Sequence, residues 1–416
     1  MLVDLSSPRT LRKLNLLKSF DGACKTPFVR DYPRITDIAL RLKDVGRFVT
    51  SNSTYTESFF ASLTRLDTIR LFGTKINRKH IDRLLTNTKW TNDGDKWIVH
   101  SARNVMLTAF KCDTLIPIGR ILTAFPKMAH LKLVGVRMSK NVRFWPWQRQ
   151  WMRQKEVTEW WARNEQYVRC VCPTMTRLTM IRTDRDLGNL LFHSLSRRLE
   201  CLTIVAGPGW SVNFENYDFK NLERLCSVNQ RALDVEMIRN QGHIMRELCL
   251  YQVGGLGGKC FTTIIEKLEK LEFLCLGVNE TESVVDGLDR TMGRRRESME
   301  IGLLLAPSDF EEWRRDHIFQ CISKLVTALN RSMIQEWIIS LDPLHSTKRA
   351  VNDFTPFLAY QSMNEHLPPG EQISLEIINR NETGDMAFVI KSKGCSMKRH
   401  HRWWHEISKI SYLRSW

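Results

Sequence analysis

The chain lacks the long apolar runs that carry a protein into or across a membrane. No stretch among its 416 residues approaches the roughly 18 uncharged apolar residues that a spanning helix needs. The first twenty residues, MLVDLSSPRTLRKLNLLKSF, contain no continuous apolar segment of the signal-peptide type. We therefore expect no membrane partner, and the cytosol or the nucleus as the location.

The sequence also lacks the motifs of common catalytic sites. It contains no H-E-x-x-H, no G-x-S-x-G and no paired C-x-x-C motifs. The glycine-rich segment 254–260 resembles a phosphate-binding loop, but Val253 and Cys260 stand where that loop has glycine and serine or threonine. The sequence therefore predicts no enzyme activity, no catalytic residue and no cofactor.

Metal-binding residue types are close together only in the C-terminal tail. They are Cys395, His400, His401 and His405. Adjacent histidines rarely bind one ion, and basic and aromatic residues crowd the segment, so we expect no metal there. A nuclear localisation signal or an anion-binding tail fits this segment better.

The cysteines do not form a disulfide framework. There are eleven, an odd number, and they are scattered along the chain. Several alternate with leucine in apolar segments, as in Leu248-Cys249-Leu250 and Leu274-Cys275-Leu276. This usage is typical of reduced cysteine inside a cell.

The chain has a large excess of positive charge. Its 62 lysines and arginines outnumber 45 acidic residues, which gives a net charge of +17. Such an excess favours acidic partners, which include nucleic acid, an anionic membrane surface and an acidic protein face.

The most frequent pattern is a hexad of the form apolar-x-x-apolar-x-apolar. Copies begin at Leu11, Ile35, Leu66, Met128, Met175, Leu199, Met245 and Leu271, with weaker copies at Leu222, Ser298 and Ile334. A strand-like segment at 105–110 fills the gap between Leu66 and Met128. Most spacings lie between 23 and 31 residues, and helix-like segments follow the strands.

This repeat predicts an α/β leucine-rich-repeat solenoid, with a parallel β inner wall and helices outside. An ordinary doubly wound α/β domain is the alternative, but the fixed internal pattern favours the solenoid. Two segments after 370 flank Asn381-Glu382-Thr383-Gly384-Asp385 and predict a β-hairpin cap. We expect the solenoid over 1–345 and the cap with a basic, aromatic tail over 346–416.

The repeat is interrupted at 141–172, where tryptophans are frequent. Trp145, Trp147 and Trp151 could form an exposed aromatic patch that anchors a partner. The alternative is a lengthened outer helix that packs on its neighbours.

The third, fifth and seventh residues, counted from the start of each hexad, are predicted to face outward from the inner wall. In the N-terminal half these include Lys13, Arg41, Arg70, Phe72, His130, Lys132 and Arg177. In the C-terminal half they include Cys201, Cys249, Tyr251, Phe273 and Cys275. This wall changes from cationic to apolar, which predicts a partner with an acidic stretch and an apolar anchor. We expect Tyr251 and Phe273 to contribute most of the binding energy, unless the wall merely has ordinary surface composition.

The irregular spacing, the methionines and isoleucines in the hexads and the cysteines in the strands resemble the degenerate repeats of eukaryotic F-box proteins. The resemblance covers about residues 11–341. It implies a non-catalytic protein–protein interaction scaffold that captures substrates for a cullin-based ubiquitin ligase. No F-box-like segment precedes Leu11, so we expect either that the gene model is truncated or that an upstream domain is missing from this sequence. The alternative is a basic nucleic-acid-associated protein that binds phosphates through the wall cations and the tail.

Overall fold

A computed structural model describes the repeat strands, several helices and the turns between them. The described residues are 12–16, 34–41, 65–73, 75–76, 102–109, 111–112, 125, 127–138, 174–207, 212, 214–228, 243–251, 258–278, 281–290, 299–305, 315–332, 334, 336–341, 373–380 and 385–392. The chain divides into two compact units, Met1–Thr203 with Tyr217–Lys220, and Ile204–Asn216 with Asn221–Trp416.

The first unit contains two sets of parallel strands. Its elements in chain order are β1 (Lys13–Leu16), β2 (Asp37–Arg41), β3 (Thr68–Phe72), β4 (Lys75–Ile76), β5 (Asn104–Thr108), β6 (Lys111–Cys112), β7 (His130–Val134), β8 (Arg137–Met138), β9 (Arg177–Ile181) and α1 (Arg185–Leu195). Strands β1, β2, β3, β5, β7 and β9 pair in that order, all parallel and in register. The short strands β4, β6 and β8 pair in a second parallel sheet.

The hexads account for the ladder because their apolar residues are the buried ones. Met128, Leu131 and Leu133 are all 0% exposed, and the same three positions are buried in the copies that begin at Leu66 and Met175. Side chains alternate across a strand, so the fourth and sixth residues share one face and bury it together.

Main-chain hydrogen bonds also repeat from copy to copy. The carbonyl of Arg12 accepts from the N–H groups of Thr36 and Asp37, at 2.9 and 3.1 Å. The carbonyl of Thr36 accepts in the same way from Asp67 and Thr68, both at 2.9 Å. Each copy thus holds the start of the next strand through groups that every residue possesses.

A turn follows several wall strands at the eighth hexad position. Ala109, Gly135 and Arg182 occupy it with φ values of 56°, 62° and 49°. The N–H of Ala109 donates to Val134 O, and that of Gly135 donates to Ile181 O, both at 2.8 Å. These left-handed residues redirect the chain at the end of each strand, which in two of the three copies leads into the small second sheet.

The second unit combines a parallel ladder with helices and a hairpin. Strand β10 (Cys201–Val205) spans the boundary between the units and precedes β11 (Arg224–Val228), β12 (Glu247–Tyr251), α2 (Gly258–Lys267), β13 (Phe273–Val278), α3 (Thr281–Arg290), β14 (Glu300–Leu305), α4 (Arg315–Arg331), β15 (Glu336–Leu341), β16 (Ile373–Arg380) and β17 (Asp385–Ser392). Strands β11 to β15 are parallel, β17 is antiparallel to β15, and β16 is antiparallel to β17.

The helices of the second unit alternate with its strands and pack on one another. Phe261 of α2 and Gly287 of α3 meet so closely that no methyl group fits at Gly287 without a shift of the phenyl ring. At the end of the ladder, Trp337 is 1% exposed, and its Nε1–H donates to Asn330 Oδ1 at 3.1 Å. Its main-chain N–H donates to Ser392 Oγ at 3.1 Å and joins β15 to the hairpin.

The predicted fold class, an α/β leucine-rich-repeat solenoid with parallel strands and a C-terminal hairpin, is confirmed. Even the weak copy at Leu222 forms a strand, β11, with Ser227 at the sixth position. The domain boundary at 345 stays a prediction.

Candidate functional site

We call the face that carries the third, fifth and seventh hexad residues the wall face. In the first unit the strand register sets these residues in rows. The fifth-position row runs Asn15, Ala39, Arg70, Met106, Lys132, Thr179, and the third-position row runs Lys13, Asp37, Thr68, Asn104, His130, Arg177. Neighbours in a row lie on adjacent strands, which are about 4.8 Å apart.

The first unit keeps most of this face accessible. Lys13, Arg70 and Arg177 are exposed, and Arg41 and Lys132 are half-buried. The structure thus places the five predicted cations on one face of one ladder. Their role in binding stays a prediction.

One ion pair crosses this face between two repeats. Arg70 Nη2 lies 2.8 Å from Asp37 Oδ2, and the two side chains are 45% and 15% exposed. The pair joins residues 33 apart in sequence, which only the strand register brings together. Arg70 therefore has a fixed orientation but remains open to solvent.

Polar contacts order three further residues of the third-position row. Asn104 Nδ2 donates to Asp67 Oδ2 at 2.9 Å, and Thr68 Oγ1 donates to the same oxygen at 3.3 Å. His130 Nε2 lies 3.0 Å from Thr179 Oγ1. These contacts hold adjacent side chains in place, so the face is ordered before any partner binds.

Apolar side chains also reach this surface. Phe72 of β3, at the seventh hexad position, and Met106 of β5, at the fifth, are both half-buried. By contrast, Val134 and Ile181, which lie in the same row as Phe72, are 4% and 2% exposed.

The wall face of the second unit differs from the sequence prediction. Tyr251 and Phe273 lie at the predicted wall positions, but they are 1% and 0% exposed. Our expectation that they project from an open surface is wrong. The hexad pattern gives the face on which a side chain lies, and it does not show what else packs over that face.

Three wall cysteines form a row in the second unit. Cys226, Cys249 and Cys275 are in register on β11, β12 and β13, and none is more than 1% exposed. Hydrogen bonds with the Cys226 and Cys275 thiols, followed by burial, raise the pKa of Cys249 well above its ordinary value. The three cysteines form no disulfide, and the raised pKa makes the Cys249 thiol a poor nucleophile.

Ion pairs line the exposed margin of the same ladder. Arg246 Nη1 lies 3.0 Å from Glu272 Oε1, and Arg246 Nε lies 3.9 Å from Glu223 Oε2. In the third-position row of this unit, Arg224 Nε lies 3.8 Å from Glu247 Oε1. The cations of this margin are paired with acids, so they offer a partner less net charge than the wall face of the first unit.

Several predicted features lie outside the described residues. They are the tryptophan patch Trp145, Trp147 and Trp151, the glycine-rich segment before Gly258, and the tail with Cys395 and its histidines. Within the described part of the chain, no three His, Cys, Asp or Glu side chains are arranged to hold a metal ion. No described helix is long and apolar enough to cross a membrane.

Sequence reasoning missed Met106 and Asp37 as residues of the wall face. Strand β5 belongs to a hexad that begins at Ala102 and continues with Val105 and Leu107, all three at most 1% exposed. The sequence indicates only a strand-like segment here, since alanine at the first position is a weaker apolar signal than leucine, isoleucine or methionine. Counting from Ala102 would have placed Met106 at the fifth position beside Arg70.

Comparisons with known proteins do not assign this chain to a family. No protein-family model matches it, and no curated protein is similar enough in sequence to count as a match. Among solved structures, a leucine-rich-repeat protein from Leptospira interrogans is similar to it, with 13% identity over 82% of this chain and 70% of the other, and a TM-score of 0.34. The fold assignment rests on the strand ladder and its buried hexads, and not on this likeness.

Proposed function

We propose that the protein is a non-catalytic interaction scaffold that binds a protein partner through the wall face of its first unit. One observation carries the proposal: the charged wall residues of this unit are accessible and are cationic except for Asp37, whereas the corresponding residues of the second unit are largely buried. A face that is ordered, exposed and charged is suited to recognition. The binding residues are Lys13, Arg41, Arg70, Phe72, Lys132 and Arg177.

The resemblance to F-box substrate receptors supports a finer proposal, that the partner is a substrate presented to a ubiquitin ligase. The cytosol or nucleus is the compartment that fits this role. None of the described cysteines Cys201, Cys226, Cys249, Cys275 and Cys321 forms a disulfide, which supports that location.

Affinity capture followed by mass spectrometry tests this function. The wild-type chain is compared with an Arg41→Gln/Arg177→Gln variant, and with Arg12→Gln/Arg103→Gln as the matched control. Arg12 and Arg103 are exposed but lie at the second hexad position, outside the third-, fifth- and seventh-position rows. We expect a discrete protein to be lost with the first variant and kept with the control. Recovery of a cullin adaptor would support the ligase role, and an unchanged partner list for both variants would refute the wall face as the binding surface.

The second candidate function is nucleic-acid binding. Lys13, Arg41 and Arg177 are accessible and form no ion pair with another described residue, so these cations are available to phosphates. Binding of this kind weakens steeply as salt is raised, because phosphate contacts release counterions. Affinity for RNA or DNA that is absent, or does not change with salt, would remove this candidate.

A further inference from the structure

A mixed apolar and cationic patch lies near the middle of the wall face of the first unit. Its apolar members are Phe72 on β3 and Met106 on β5, which are half-buried and lie diagonally to each other on adjacent strands, since the register pairs Met106 with Arg70 and Phe72 with Thr108. Two other residues of the fifth-position row are buried, since Ala39 is 6% exposed and Thr179 is 7% exposed. The accessible apolar surface is therefore concentrated at these two side chains.

Each apolar residue of the patch has a basic neighbour in the strand register. Arg41 of β2 is the partner of Phe72, and Met106 lies between Arg70 of β3 and Lys132 of β7. At the strand spacing of about 4.8 Å, these cations border the apolar pair on both sides. An apolar centre with a cationic border is complementary to an apolar side chain flanked by carboxylates.

The Arg70–Asp37 pair prepares one of these cations for binding. A guanidinium has five N–H donors in a fixed fork, and the 2.8 Å contact joins one nitrogen to Asp37. At 45% exposure, Arg70 can still offer donors to a second carboxylate. Its rotamer is already restricted, so binding costs less side-chain entropy.

The same pair disfavours a polyphosphate. Asp37 is the acidic member of the described wall positions of β1 to β9, and its charge opposes a phosphate backbone that runs along the cations. Met106 is a flexible thioether that fits an aliphatic or aromatic side chain and offers no flat surface for stacking a base.

We infer that this patch binds an extended acidic segment of a partner protein whose single apolar or aromatic side chain contacts Phe72 and Met106. Carboxylates on either side of that side chain pair with Arg41, Arg70 and Lys132. The inference rests on the proposed function and specifies the chemistry of its partner.

A double-mutant cycle in fluorescence anisotropy tests this inference. The probes are a short peptide of glutamate and serine with one central phenylalanine, the same peptide with alanine at the centre, and an oligothymidylate of matched charge. With the wild-type chain, the central phenylalanine is expected to tighten binding about tenfold, the scale of one anchoring side chain. In the Phe72→Ala variant this gain should disappear, whereas Phe72→Leu should keep most of it.

Charge variants distinguish binding at the patch from general electrostatic attraction to a basic protein. Arg41→Gln should weaken binding of the phenylalanine peptide by about fivefold, and Arg103→Gln, which removes the same charge at the second hexad position, by less than about twofold. Circular dichroism confirms that each variant is folded.

The inference fails if the central phenylalanine gives no gain, if the gain survives Phe72→Ala, or if Arg103→Gln acts as strongly as Arg41→Gln. Tighter binding of oligothymidylate that depends on Phe72 would assign the patch to nucleic acid. Failure of the proposed function is distinguishable, since then affinity capture finds no protein that depends on the wall face.

Discussion

Replacement of Ser227 by alanine should raise the free energy of unfolding, because the buried serine hydroxyl is unfavourable where it lies. Ser227 occupies the sixth position of the weak hexad on β11, where most other copies have leucine, methionine or isoleucine. Its side chain is 0% exposed, and its hydroxyl makes no hydrogen bond to any described residue. In register with it on β12 is Leu250, also 0% exposed, so the surroundings are apolar.

The expected magnitude follows from the cost of burying an unpaired hydroxyl. That cost is about 1–3 kcal/mol, and loss of the small Oγ atom forfeits less than about 1 kcal/mol of packing. The Ser227→Ala variant should therefore gain about 1–2 kcal/mol in free energy of unfolding.

Ser332 provides a matched control in the same unit. It is 6% exposed, and its Oγ donates to Leu329 O at 2.6 Å. Ser332→Ala deletes a satisfied hydrogen bond and should cost about 1 kcal/mol. Urea unfolding followed by circular dichroism measures both variants. Because both serines lie in the second unit, both shifts should appear in the same transition.

The reasoning is refuted if Ser227→Ala lowers the urea midpoint as Ser332→Ala does. That result would show that the Ser227 hydroxyl is hydrogen-bonded in solution and contributes to stability.

Three further predictions concern the turns, the helix packing and the thiol row. Gly135→Ala should lower the free energy of unfolding by about 1 kcal/mol in a urea titration, because φ at Gly135 is 62°, a backbone conformation that strains alanine. The added Cβ meets nothing closer than 3.9 Å, so the cost is conformational and not a clash. Gly207→Ala, with open space around it, should cause little change, and equal effects of the two variants would contradict the strain argument. Gly287→Ala should lower the melting temperature, because overlap with the Phe261 ring costs about 1–3 kcal/mol and the gain in helix propensity is at most about 1 kcal/mol. The same substitution made in a Phe261→Leu variant should lower the melting temperature less, and an equal loss there would exclude this clash. Folding raises the pKa of Cys249, so its contribution to stability is present below the unfolded-state pKa, near 8.5, and is lost as the pH rises through the higher folded pKa. The urea midpoint should therefore fall less steeply between neutral and alkaline pH in Cys249→Ala than in the wild type, and identical slopes would refute the linkage.

The ladder could be predicted from sequence because its physical cause is local. Each hexad specifies one buried strand face, and the spacing between hexads specifies that the strands are parallel. Even β11, whose hexad contains Ser227, follows from its spacing alone. The hairpin of β16 and β17 could be predicted for the same reason, since alternating segments flank a polar turn.

Exposure on the wall face could not be predicted, because it depends on tertiary packing. Phe72 and Phe273 are both phenylalanines at predicted wall positions, the seventh and the third, yet Phe72 is half-buried and Phe273 is 0% exposed. Nothing in either hexad distinguishes them. The Arg70–Asp37 pair was missed for a related reason, since it needs the register of β2 against β3.

The repeated carbonyl contacts at the second hexad position have a consequence for how this protein can change. Because Arg12, Thr36 and Asp67 hold the next strand through main-chain atoms, the register does not depend on which side chains occupy the wall face. Wall residues can therefore be exchanged without disturbing the ladder that presents them. Under the proposed function, the specificity for a partner could then change, or be redesigned, one strand at a time on an unchanged ladder.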